Sequence, residues 1–342
     1  MPGSGGIKTD NTLHTELHPY TLQFKFKAGT SRGSYTEHPV QYLHLIDDDD
    51  ATHVGIGEYA PLPDLSPDTA SAMLFAHETA TWHYTRRSLL LSDTAFSRGE
   101  EGLQINGLIW MGTYEEMKNR IEEKLQQGFR CVKLKIGAIN FDEEVELLTM
   151  IRSRFPKDVI ELRVDANGAF QPGDDAMRKL DTLARLDLHS IEQPIKAGQW
   201  QEMAKLCRQT PLPIALDEEL IPNAESLALQ GTTDYRSRLL SEIRPQYIIL
   251  KPSLHGGLAG CDDWIRIAES MDIPWWATSA LESNVGLNAI AHWVAQHIER
   301  LRRKHGPDFQ PLPQGLGTGQ IYTNNVAGYP LRLIGDELWC NK

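Results

Sequence analysis

Cys131-Val132-Lys133-Leu134-Lys135-Ile136 alternates apolar and charged residues with period two, a pattern that a β-strand satisfies and a helix does not. On a strand, Lys133 and Lys135 share one face while Val132, Leu134 and Ile136 share the other. The apolar face has to be buried, which disfavours an exposed surface strand. Working outward, similar short runs recur and end in polar residues: Ile160–Asp165, His189–Glu192, Pro213–Asp217, Tyr247–Lys251 and Trp275–Ser279. From Lys135, the ends Asp165, Glu192, Asp217, Lys251 and Ser279 follow at spacings of 30, 27, 25, 34 and 28 residues. Each spacing is about one strand plus one helix. An earlier run covers Ile105–Trp110, and a weak last one lies near Pro311–Leu316. The text between them is helical: Thr113-Tyr-Glu-Glu116 is a capping box, Met117, Ile121 and Leu125 repeat every four residues, and Gly128 is placed as a C-cap. Phe141, Val145, Leu148 and Phe155 are expected to line one face of the next helix. Seven or eight such units predict an α/β fold, a TIM-type (β/α) barrel. A doubly wound open sheet is the alternative; its dinucleotide-binding version loses support because no G-x-G-x-x-G follows the first strand.

The N-terminal text differs. From about Leu17 to Gly57 it reads as strands, with Leu22, Phe24 and Phe26 alternating with polar residues, and Ser66 to about Leu91 reads as a helix. Strands followed by a helix, without alternation, make a small α+β unit. At 342 residues the chain suits two domains, or a large barrel with an addition. The 34 Lys+Arg against 46 Asp+Glu give a net charge of −12, which argues against nucleic acid or an anionic membrane surface as the main partner. No apolar run is long enough for a membrane helix and the N-terminus lacks the apolar core of a signal peptide, so a cytoplasmic location is expected. Cys131, Cys207, Cys261 and Cys340 stand 76, 54 and 79 residues apart, which suits neither a zinc pair nor a disulfide framework.

In a closed barrel the strand ends converge at one mouth, where such enzymes place their sites. A lone Asp at a strand end is most often a helix cap or loop residue; the shared register is what argues for a site. Asp165, Glu192 and Asp217 on consecutive strands offer hard oxygen ligands, suited to Mg²⁺ or Mn²⁺ and poorly suited to zinc. Lys133, Lys135 and Lys251 flank them. Two neighbouring ammonium groups are expected to depress each other's pKa, which favours one as a base near neutrality. A carboxylate-binding metal beside an amine base is machinery for removing a proton α to a carboxylate. The expected partner is a small-molecule carboxylate.

These residues resemble the enolase superfamily. The matching segments are Val132–Lys135, Val164-Asp165-Ala-Asn167-Gly168, Ile191-Glu192-Gln193-Pro194, Leu216-Asp217-Glu218, Leu250-Lys251-Pro252 and, near the N-terminus, Gly55-Ile-Gly-Glu58-Tyr-Ala-Pro61. The pair of lysines with a third on the sixth strand is similar to the muconate-lactonizing subgroup. Ser279-Ala-Leu-Glu282-Ser283-Asn-Val-Gly286 and Gly315-Leu-Gly-Thr-Gly319-Gln320 resemble the o-succinylbenzoate synthase family within it. The resemblance implies a (β/α)7β-type barrel over residues 101–319 and an α+β capping domain over residues 1–100, to which a C-terminal segment of about 320–342 returns. It also implies Mg²⁺-dependent syn dehydration of 2-succinyl-6-hydroxy-2,4-cyclohexadiene-1-carboxylate. Lys135 would remove the α-proton and return it to the leaving hydroxyl, and Lys133 would polarise the carboxylate. Lys251 would lie over the intermediate, a cation–π contact of roughly 0.5–2 kcal/mol. Asn167 would bind substrate or ligand, or make a structural turn, and Glu218 would stand behind the ligands or open a helix. Ser279 and Ser283 are the candidates for the succinyl carboxylate, with helix capping the alternative for each. Arg32 belongs to a lid-like loop, Ala28-Gly-Thr-Ser-Arg32-Gly33. His189 and His255 are expected to be structural.

Other readings compete. An N-succinylamino acid racemase or muconate-type cycloisomerase would use the same groups, with Lys135 and Lys251 on opposite faces. A dipeptide epimerase would need an Asp-x-Asp at the eighth strand, where Pro313-Gln314-Gly315-Leu316 has no acid. A catalytically dead binding barrel should have lost a ligand or a lysine. A phosphate-handling barrel would use Gly315-Leu-Gly-Thr-Gly319 as an anion nest, but the three acids then lack a partner.

Overall fold

The structure is a computed structural model that describes residues 12–30, 33–63, 69–223 and 233–341. Strands β1 (Leu13–Thr30), β2 (Gly33–Asp47) and β3 (Val54–Tyr59) form an antiparallel sheet in the order β1-β2-β3. The alternation seen in the sequence has its cause here: Leu22 and Phe24 are buried while Gln23 and Lys25 are exposed. Helix α1 (Ala70–Arg86) lies on β3 and buries Ala72, Phe75, Ala76, Thr79 and Ala80. It sits so close that a Cβ on Gly57 would come 1.9 Å from the Ala76 carbonyl oxygen, and one on Gly55 2.1 Å from that of Ala80. Both glycines of the Gly55-Ile-Gly57 run are therefore demanded by helix–sheet contact. The expected helix start, Ser66-Pro-Asp68, falls outside the described residues.

A short strand, β4 (Leu103–Gln104), precedes a seven-stranded parallel sheet. Its strands are β5 (Gly107–Ile109), β6 (Cys131–Lys135), β7 (Glu161–Asp165), β8 (Ser190–Glu192), β9 (Ile214–Leu216), β10 (Tyr247–Leu250) and β11 (Trp275–Ala277). They pair strictly in chain order, with no point at which the order reverses. That order excludes the doubly wound alternative, which needs a reversal. The connecting helices are α2 (Tyr114–Gln126), α3 (Phe141–Arg154), α4 (Asp174–Ala184), α5 (Trp200–Gln209), α6 (Thr233–Ile243), α7 (Gly257–Ser270) and α8 (Asn284–His305). Thr113 and Glu116 form the reciprocal capping box that opens α2, and Gly128 follows α2 with a φ of 83°. On α3 the buried face is Glu144, Leu147, Leu148 and Ile151, while Phe141, Val145 and Phe155 are only partly buried. The helical period was right but the stripe is rotated, because Glu144 turns inward to accept the N–H groups of Gly137, Ala138 and Ile139.

The main core lies between this sheet and its helices, where Val132, Leu134, Val164, Ile191 and Ile248 meet Ile121, Leu148 and Leu180. The strand expected at Pro311–Leu316 shrinks to two parallel bridges, Ile105↔Gln314 and Thr278↔Gly315, since Pro311 and Pro313 have no N–H to donate. Residues 314–315 thus touch both ends of the sheet. Beyond them, the backbones of Ile321 and Thr323 bond β1 at Lys25 and Gln23. The hairpin β12 (Leu331–Ile334) and β13 (Glu337–Cys340) instead adds to β4. All four cysteines are free and buried. No helix of the described residues is long and apolar enough to cross a membrane.

Candidate active site

Register brings the charged strand ends together: Lys135 stands opposite Asp165 and Asp165 opposite Glu192. Because strand faces alternate, Lys133 sits on the same side as Lys135 one step lower, and Arg163 on the same side as Asp165. Arg163 is fully buried with its guanidinium 4.2 Å from the Trp276 ring centre, forming a layer beneath the acids. Lys133 Nζ donates to both oxygens of Glu192 at 2.8 Å and lies 3.5 Å from Asp165 Oδ2. Lys135 Nζ donates to Asp165 Oδ2 at 3.2 Å and to Asn167 Oδ1 at 2.9 Å. Across the site, Lys251 Nζ bonds Asp217 Oδ2. The acids are essentially inaccessible to solvent, as is Lys133.

Burial this complete sets the electrostatics. Desolvation works to raise Asp165, but the ammonium groups of Lys135, Lys133 and Lys251 prevail and hold it well below the usual carboxylate range. Desolvation pushes Glu192 up to about 7, and the charges of Asp165 and Asp217 add to that. For Lys133 the sequence expectation is corrected. Burial lowers its pKa, yet the pull of Glu192 and Asp165 exceeds both burial and the repulsion of Lys251, and the net direction is upward. Paired with acids, this ammonium is held charged rather than depressed by its neighbours.

Asp165, Glu192 and Asp217 each offer an oxygen within 4.8 Å of the others. The second oxygen of Asp217, Oδ1, is buried without any partner, which a cation would supply. An all-oxygen donor set with that orphaned atom fits a hard divalent ion. Beside the acids opens a cavity of about 610 Å³, lined by Lys133, Lys135, Lys251, Asn167, Glu218 and Ser279 on its polar side. Phe26, Trp110 and Leu281 form part of its apolar side, the Trp110 ring centre being 5.7 Å from Lys135 Nζ.

Asn167 adopts a φ of 43°, so it is a turn residue and a site residue at once. It holds Lys135 through Oδ1, and its Nδ2 donates to Glu218 Oε1 at 2.9 Å. Glu218 opens a 3-10 turn, Glu218–Leu220, and also faces the cavity. Ser279 lines the cavity too; its hydroxyl donates to Glu282 and accepts from Thr318 at 2.7 Å. Ser283 is a correction. It is the N-cap of α8, accepting from Val285 N at 3.2 Å and donating to Glu58 Oε2 at 2.7 Å, and it does not line the cavity. The serine before a helix start follows its ordinary capping use. Arg32 lies outside the described residues. His255 Nδ1 accepts the backbone N–H of Lys251 at 3.0 Å, and the His189 ring lies tilted against Tyr247 with ring centres 4.8 Å apart; burial pushes them down to about 3 and about 4, as suits structural histidines.

Several contributors escaped the sequence reading. Trp110 ends the first strand run, so the strand-end rule used for the others would have found it. Phe26 and Leu281 come from remote segments, and nothing local marks them. Leu281 has a φ of 71°, its carbonyl accepting from Tyr322 Oη at 2.5 Å and from His38 Nδ1 at 3.2 Å.

Comparison with known proteins adds the family. Residues 116–325 match the enolase C-terminal domain-like family. This chain belongs to the enolase superfamily. It is 52% identical over 232 residues to the o-succinylbenzoate synthase of Desulfotalea psychrophila, an alignment covering 68% of this chain and 57% of that protein. It is 27% identical over 242 residues to the L-Ala-D/L-Glu epimerase of Bacillus subtilis, covering 69% of this chain and 63% of that one. The chain thus spans less than two thirds of the length of both relatives. Among solved structures, the crystal structure of MenC from Desulfotalea psychrophila superposes with a TM-score of 0.79 at 36% identity, covering 96% of this chain and 99% of that one.

Proposed function

We propose that this chain is an o-succinylbenzoate synthase, removing water from 2-succinyl-6-hydroxy-2,4-cyclohexadiene-1-carboxylate with Mg²⁺ or Mn²⁺ held by Asp165, Glu192 and Asp217. The observation that carries the reading is the placement of Lys135 and Lys251 beside different acids of one buried triad, with a cavity alongside. The 52% identical Desulfotalea enzyme supports the choice of substrate. A bound divalent ion would supply positive charge to the substrate carboxylate and so lower the cost of α-proton removal. Lys135, uncharged at that moment, takes the α-proton; its N–H⁺ then protonates the hydroxyl on the same face as the C–O bond breaks and water leaves. Asn167 keeps the Lys135 amine aimed. Lys133, held charged by Glu192, balances the negative charge that develops on the carboxylate, and Lys251 faces the ring from the far side. We assign Ser279, which lines the cavity, to the succinyl carboxylate, its one hydroxyl proton turning from Glu282 to the substrate on binding.

In this reading the parallel sheet closes through residues 314–315 as a (β/α)7β barrel over residues 101–319, supported by their bridges to Ile105 and Thr278. The described residues within 1–100 form the cap, joined by the segment at Ile321–Thr323. The direct test is the absorbance decay of freshly prepared substrate on adding the protein with Mg²⁺, and then with a chelator. Fast decay that the chelator stops is the expected result; a folded, metal-loaded sample without decay would refute it. N-succinylamino acid racemisation is the second reading, favoured by the two lysines on different strands. Dipeptide epimerisation is disfavoured, since at the eighth strand position Gln314 spends its side-chain amide on Ala277 N and Leu312 O.

A further inference from the structure

In the run Ile191-Glu192-Gln193-Pro194, a glutamine directly follows a proposed metal ligand, and no step above uses it. Gln193 is fully buried, and its φ of 37° is a left-handed conformation that a non-glycine residue keeps only when its surroundings impose it. Those surroundings are the ends of the neighbouring strands. Its backbone N–H donates to Ala215 O at 3.0 Å, and its carbonyl accepts from Gly168 N at 2.7 Å, in the turn that follows Asp165 and Asn167. Its side-chain Oε1 accepts from both Asp217 N and Glu219 N at 3.2 Å. Its Nε2 donates to Ile195 O at 2.9 Å and to Glu219 Oε2 at 3.3 Å. Glu219 in turn accepts from Gly198 N at 2.8 Å.

One residue therefore joins the turns after all three acids, through its carbonyl to the turn after Asp165 and through its side chain to those after Glu192 and Asp217. It also caps the 3-10 turn that starts at Asp217, whose own side chain does not do so. The backbone N–H of Asp217 hangs on Gln193 Oε1, so the position of the Asp217 carboxylate relative to Glu192 is set by this amide. We propose that Gln193 is a positioning residue that fixes the spacing of the three carboxylates and thereby selects Mg²⁺ over larger divalent ions. The inference rests on the reading that the triad holds Mg²⁺. Its physical basis is the difference in tolerance between hard cations: Mg²⁺ requires near-octahedral oxygens at about 2.0–2.1 Å, whereas Ca²⁺ accepts six to eight at about 2.3–2.6 Å in flexible arrangements. Loosening one ligand strand costs the smaller ion more.

The test is calorimetric titration of the whole chain with MgCl₂ and with CaCl₂, for the wild type, Gln193→Asn and Gln193→Met. Asparagine keeps the amide and tolerates a left-handed backbone, but is one methylene too short to reach both N–H groups. It keeps the test alive should the methionine variant not fold. In the folded variants the Kd for Mg²⁺ should rise roughly 10- to 100-fold, the usual cost of losing a residue that orients metal ligands, while that for Ca²⁺ rises less than about threefold. An unchanged Mg²⁺ affinity, or equal weakening of both ions, overturns the proposal. A wild type that takes up no Mg²⁺ overturns the metal reading itself and this proposal with it, and the wild-type titration alone identifies that case.

Discussion

Lys135 owes its place to Asp165 at 3.2 Å and Asn167 at 2.9 Å, which hold its amine at the cavity wall. Its replacement is the sharpest test at this scale. Lys135→Ala should lower turnover by at least roughly a thousandfold, in the range lost with a general acid–base group, while circular dichroism shows an intact fold. Retained activity would remove Lys135 as the base. Asp217→Asn should weaken Mg²⁺ binding, because it replaces a charged oxygen with a neutral amide opposite Lys251; unchanged affinity by calorimetry would strike Asp217 from the ligands. Asp165, Glu192, Asp217, Lys135 and Lys251 were legible because each stands at the end of an apolar run, and Lys133 because it alternates with Lys135 on one strand. Strand alternation and repeat length then decide where each points. Ser283 stays between two roles for a related reason, since a serine after a strand end and before a helix fits both a substrate donor and an N-cap. Only its contact with Glu58, 225 positions away, decides between them.

Helix α8 shows what that cap does for an element. The carboxylate of Glu58, on β3, accepts from Ser283 N, Ser283 Oγ and Gly286 N, so the first turn of α8 is satisfied from the N-terminal sheet. Ser283→Ala should destabilise the protein by about 1–2 kcal/mol, the usual value of an N-cap, measured by denaturant unfolding. KM should stay unchanged, and a large rise would restore Ser283 to the substrate site. Helices and strands in the second half were legible from period and caps because local signals there agree with the fold. Exceptions have physical causes. The last strand lost its ladder to Pro311 and Pro313, and the α3 stripe turned to bury Glu144 against the loop that follows Lys135.

At the scale of the molecule, the N-terminal sheet is tied to the start of α8 through the buried carboxylate of Glu58, which responds to pH. Desolvation raises Glu58 to about 7, against the opposing effect of its bonds from Ser283 and Gly286. An acid whose folded pKa exceeds its unfolded value binds its proton more tightly when folded. Its contribution is present below the unfolded pKa of about 4.5 and fades as pH rises to about 7, a change on the order of 3 kcal/mol. Thermal unfolding between pH 5 and 8 should therefore fall more steeply for the wild type than for Glu58→Gln; parallel curves would exclude Glu58 as the cause. Metal binding offers a second global readout. Mg²⁺ at a hundred times its Kd should add about 2.7 kcal/mol to stability, seen as a rise in Tm that a chelator reverses.

The repeating β-then-α order and the acids and lysines gathered at the strand ends were legible in the sequence, because strand alternation and repeat length are local properties. Tertiary structure alone decided which residues wall the cavity, that Lys133 is held charged rather than depressed, and that Ser283 caps a helix. Each depends on distances between segments 30 to more than 200 residues apart, and on burial that strengthens every charge interaction inside it.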